Sequence, residues 1–78
     1  MSEVHRFDAG EMGCAEGLAG EFRKQMQQIE VGDVLVVSTR DPAAKEDLPP
    51  LARMMGHMVR SVEAPGDGRL EVSVERGR

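Results

Sequence analysis

A chain of 78 residues, 40% apolar and 31% charged, has the balance of a soluble globular protein and the length of one domain, expected over residues 1–78. Ten basic against fourteen acidic side chains give a net charge of −4, with Arg23-Lys24 the sole adjacent basic pair and Phe7 and Phe22 the only aromatic residues. This excludes nucleic acid as a main ligand, which needs clustered cations and stacking platforms. The longest apolar run, Val34 to Val37, is far short of the roughly 20 residues of a membrane helix. Met1 to Arg6 lacks the apolar core of a secretory signal, so a cytoplasmic address is expected.

In chain order, Glu3–Asp8 alternates imperfectly and predicts a first strand. The glycines in Ala9-Gly10-Glu11-Met12-Gly13 mark a turn. From Cys14 to Ile29, Leu18, Phe22, Met26 and Ile29 recur at helical spacing, with Arg23, Lys24, Gln25, Gln27 and Gln28 on the wet side. Gly32-Asp33 turns the chain into Val34–Thr39, a β-branched strand. Asp41 is placed to cap a helix with Pro42 at its first position. Leu48, Leu51, Ala52 and Met55 continue that stripe, but Pro49 and Pro50 predict a break near residue 48. Gly56 stands where a left-handed helix-ending residue belongs, and His57 beside it is expected to satisfy terminal carbonyls. Met58–Glu63 is a weaker strand. Residues 64–68 form a hairpin connection, and Arg69–Glu75 alternates cleanly around Leu70, Val72 and Val74. The β-α-β-α-β-β order predicts an α/β two-layer sandwich. It has a four-stranded mixed sheet, its first two strands parallel and its last two antiparallel, with two helices on one face.

Cys14 is the single cysteine, which excludes an intramolecular disulfide and a Cys-rich zinc site. With His5 and His57 it makes three soft ligands at no recognised metal spacing, so neither a metal nor a cofactor is expected. At a helix start, amide N–H groups and the helix dipole would favour its thiolate. Lying four residues before Leu18, it also falls on the apolar stripe, where a cysteine serves as a small hydrophobe. No acid–base partner for the thiol is visible; His5 reads as exposed. Asp8 and Asp41 end the two parallel strands at the Cys14 end of the sheet, where ligand sites gather in α/β folds. Both also fit plain turn and cap roles. Met12 is either core filler or an adaptable docking contact.

These residues carry a likeness spread along the chain. It resembles the TusA-like (SirA-like) sulfur-carrier family, which opens with Asp, two residues, Gly, two residues, then Cys-Pro-x-Pro at a helix start. Asp8 and Cys14 keep that separation, and Glu16 fills the variable position. Val31-Gly32-Asp33 is similar to the family's turn before strand two. Asp41-Pro42 with Asp47-Leu48-Pro49, and Gly56-His57, resemble its later landmarks. Ala15 and Gly17 replace both motif prolines, and Glu11 stands where the family has glycine. Lost proline weakens the helix start, and a glycine within the helix costs roughly 0.5–1 kcal/mol against alanine.

The resemblance implies a monomeric, sulfurtransferase-type carrier. Cys14 would accept a persulfide from a donor (a cysteine desulfurase or rhodanese-like protein) and pass it to an acceptor protein. Asp8, Met12, Glu16 and Asp41 would support the site or dock partners. The other reading is an interaction or redox-regulatory module on the same fold, with Cys14 structural or a sensor.

Overall fold

The computed structural model describes residues 2–13 and 17–78. Cys14, Ala15 and Glu16 lie outside the described residues. The elements are β1 (Val4–Gly10), α1 (Leu18–Gln28), β2 (Val34–Thr39), α2 (Ala44–Met54), β3 (Met58–Glu63) and β4 (Leu70–Glu75). The sheet order is β1-β2-β4-β3. β2 pairs parallel with β1 and antiparallel with β4, and β4 pairs antiparallel with β3. The expected α/β sandwich with a mixed four-stranded sheet is therefore observed.

Strand alternation and helix stripes meet in one cluster. Leu35 and Val37 of β2 stand opposite Val74 and Val72 of β4. They join Leu18, Phe22 and Met26 of α1 and Ala44, Leu48 and Ala52 of α2, all nearly inaccessible to solvent. Both helices thus cover the same face of the sheet. On the other face Val36 and Ser38 are also buried, although no helix covers them. Arg6, opposite Val36, reaches to 4.0 Å from Glu71, opposite Ser38, so this pair of long side chains spans β2. Ser38 Oγ is left buried without a protein partner.

Two sequence expectations are corrected. The break predicted near residue 48 does not occur: α2 runs unbroken through Pro49 and Pro50. Each proline deletes one backbone bond, to the carbonyls of Lys45 and Glu46, and both of those residues are exposed, so water can replace the missing donors. A break would displace Leu48 or Ala52 from a core where each is fully buried, and burying a leucine alone is worth about 1.5–3 kcal/mol. The stripe outweighs the prolines. Second, α1 begins at Leu18 rather than Cys14, and its N-cap is Gly17, at φ 102°. Glycine adopts that left-handed geometry without a Cβ penalty, so Gly17 sits where it is favourable, not inside the helix.

The end of α2 agrees with expectation at Gly56, which has φ 88°. Gly56 N donates to Arg53 O and His57 N to Ala52 O, at 3.0 and 2.9 Å, the paired bonds of a Schellman motif. The His57 ring does something else. Its Nδ1 accepts from Gly77 N at 3.1 Å, fastening the segment after β4 onto the α2–β3 turn. Burial, and then the charges of Arg76 and Arg78, push the ring's pKa below its ordinary 6.5.

The sign of the pH effect follows. Below the ordinary value the unfolded chain binds a proton that the folded ring resists, so stability falls as pH drops through 6.5 towards the folded pKa. The melting temperature of wild type is expected to fall more between pH 7 and about pH 5 than that of His57→Gln. Parallel melting curves for the two would contradict the assignment.

Candidate functional site

Parallel pairing of β1 and β2 brings their C-terminal ends together, with Gly10 opposite Thr39. The β1–α1 loop and the segment leading into α2 both leave from this end. Asp8 and Asp41 both stand at this end, each tied to backbone. Asp8 Oδ1 accepts from Gly10 N at 2.8 Å, steadying the irregularity in β1 between Asp8 and Gly10. Asp41 Oδ1 accepts from Ala43 N at 3.0 Å. Asp41 therefore caps the turn before α2, while the N-cap of the helix itself is Ala43. Pro42 correspondingly lies in that turn and not at the first helical position.

Met12 is half-buried against the core cluster. Its carbonyl accepts from the Thr39 hydroxyl at 3.1 Å, and that hydroxyl accepts in turn from Asp41 N at 3.1 Å. Arg40 N donates to Gly10 O at 2.7 Å. The two chain segments are thus stitched together directly above the sheet.

Across the loop, Leu18 N donates to Gly13 O at 3.0 Å, and Glu21 N to Gly17 O at 3.0 Å. The described chain stops at Gly13 and resumes at Gly17, with Cys14, Ala15 and Glu16 in between and outside the described residues. The described helix α1 starts at Leu18, with Gly17 as its N-cap. The first amides of a helix lack partners within it, so Ala19 and Gly20 contribute N–H groups at the helix end that faces this loop.

The opposite end of the sheet holds groups that sequence reasoning underrated. Asp33 is buried. Its Oδ1 accepts from Glu3 N at 2.9 Å, and its Oδ2 from Glu30 N at 3.2 Å, with His5 Nε2 3.0 Å away. The Glu3 amide first, and then His5, hold its carboxyl below the ordinary 3.8. His5, expected to be a free exposed side chain, instead pairs with Asp33. Glu3, His5 and Asp33 offer ligand atoms within 4.8 Å of one another and are the group among the described residues that could hold a metal. The hydrogen bonds on Asp33 also clasp β1 to the turn before β2. A groove of about 410 Å³ lies at this end too, between the helix C-termini, lined by Met26, Met54, Met55, His57, Arg76 and Arg78. Arg76 crosses it to donate to the carbonyls of Ile29 and Gln27 at the end of α1.

The family profile described as Sulfurtransferase TusA matches residues 19–76, from α1 to just past β4. The chain belongs to the TusA family. A protein of Archaeoglobus fulgidus named as a candidate sulfur carrier protein is 36% identical over 53 residues, covering 68% of this chain and 69% of that protein. The TusA match begins after Cys14, so the part of the likeness around the thiol rests on the Asp8-to-Cys14 spacing. No helix among the described residues is long and apolar enough to cross a membrane.

Proposed function

We propose that this TusA-family protein carries sulfur on Cys14. Membership of a sulfurtransferase family, in a chain with one thiol, is the observation that supports the reading. The Cys14 thiolate attacks the terminal sulfur of a donor's cysteine persulfide; the donor S–S bond breaks and its thiolate leaves. An acceptor thiolate then attacks the terminal sulfur on Cys14, which departs as thiolate. Electrons balance in both exchanges, and no cofactor or metal is called for. The donor is a cysteine desulfurase or rhodanese-like protein, and the carrier works as a monomeric single domain in the cytoplasm. The exposed part of Met12 meets the partner. Asp8 and Asp41 hold the turns that flank the loop, and Glu16, as a nearby anion, moderates the thiolate.

A second reading has one observation in its favour. The family match would stand unchanged if Cys14 were structural, because it begins at residue 19. Thiol reactivity separates the two. Alkylation of the folded protein across pH is expected to give Cys14 an apparent pKa modestly below the roughly 8.5 of free cysteine. A thiol that resists labelling until the protein unfolds favours the module in which Cys14 is structural.

A further inference from the structure

We infer that Thr39 is a positioning residue for the thiol, an inference that rests on the carrier reading. Thr39 is fully buried at the C-terminal end of central strand β2, where a β-branched residue needs no polar group to fill its place. Its hydroxyl is nevertheless used twice. It donates to Met12 O and accepts from Asp41 N, both at 3.1 Å. One buried oxygen thereby links a residue two positions before Cys14 to the turn that opens α2.

Few other groups could do this. The neighbouring backbone bond, Arg40 N to Gly10 O, holds β1 itself and stops short of Met12. Met12 N donates back to Ala9 O at 3.0 Å, which closes the local turn without reaching β2. Among the described residues, the Thr39 hydroxyl is therefore the side-chain tie between β2 and the stretch that leads towards Cys14. Small displacements at a reacting atom lower transfer rates steeply, by up to about a hundredfold for 1 Å. A fixed approach to the thiol is what exchange between two protein-bound sulfurs requires.

The test compares Thr39→Val, which keeps the shape and removes the hydroxyl, with Thr39→Ser, which keeps the hydroxyl. Ile29→Val, at the far end of α1, serves as a control for lost core packing. Each full-length protein is assayed for iodoacetamide alkylation of Cys14 across pH, for sulfur uptake from a cysteine desulfurase with cysteine, and for melting temperature. Thr39→Val is expected to move the alkylation midpoint up towards that of free cysteine and to slow sulfur uptake about tenfold. Thr39→Ser is expected to restore both, and Ile29→Val to lower the melting temperature while moving neither.

A Thr39→Val protein with the wild-type alkylation profile and uptake rate overturns the inference, whatever its melting temperature. So does a Thr39→Ser protein that behaves like Thr39→Val, or an Ile29→Val protein that shows the same shifts. If no variant, wild type included, takes up sulfur while Thr39→Val still shifts the alkylation midpoint, the carrier reading fails and the positioning role stands. A wild-type thiol that cannot be alkylated in the folded state overturns both.

Discussion

Phe22→Ala is expected to leave the protein largely unfolded or insoluble. Phe22 is fully buried in the middle of α1, between Leu18 and Met26 on the same face. The chain's other aromatic ring, Phe7, is already packed against the core from β1, so filling the space left by Phe22 would take it from its own contacts. Truncating a buried phenylalanine costs about 3–5 kcal/mol, transfer and cavity terms together. A domain near this size typically has about that much stability in all. Urea or thermal unfolding followed by circular dichroism reads the loss directly. An unchanged melting midpoint would mean that the α1 stripe does not face the sheet.

The same stripe explains why the architecture was readable before any coordinates. Leu18, Phe22 and Met26 recur at helical spacing, and Leu70, Val72 and Val74 alternate, because one face of each element meets the core. Periodicity reports burial, and burial fixes the layers. Gly56 was readable for a different reason: a left-handed helix end admits few other residues. Gly17 shows the limit of that reasoning. Glycine is tolerated both within a helix and at a left-handed cap, and the letter alone does not say which. The unbroken α2 was hidden because the cost of Pro49 and Pro50 depends on whether the carbonyls they abandon are wet, a property of the packed helix.

The site was readable in part. Asp8 and Asp41 do flank the loop from the ends of two parallel strands, as strand order alone requires. The bonds that organise it were not readable. Thr39 reaches Met12 across 27 positions, and Asp33 reaches Glu3 across 30. Side-chain bonds to backbone over such separations leave no periodic trace in the sequence. His5 and His57 were misjudged for the same reason. Their partners, Asp33 and Gly77, are brought close only by the sheet and by the segment after β4.

The carrier function makes a prediction of all-or-none character. A thiolate is the group in this chain that can accept a sulfane sulfur as a persulfide, and Cys14 supplies the sole thiol. Lysine, histidine and carboxylate side chains carry no sulfur, and the methionine sulfurs are already bonded to two carbons and form no neutral persulfide, so no residue can stand in for it. Replacing Cys14 with serine keeps the size and polarity of the side chain while removing the sulfur, so the fold is expected to survive with its melting temperature little changed. Loss of loading in that variant would then report chemistry and not unfolding.

The decisive measurement is the intact mass of the folded protein after incubation with a cysteine desulfurase and cysteine, or with a rhodanese and a sulfane-sulfur source. Wild type is expected to gain one sulfur atom, roughly 32 Da, removable by a thiol reductant, while Cys14→Ser gains none under the same conditions. Wild-type protein that gains no sulfur from either donor, or a Cys14→Ser variant that gains as much as wild type, would contradict the account.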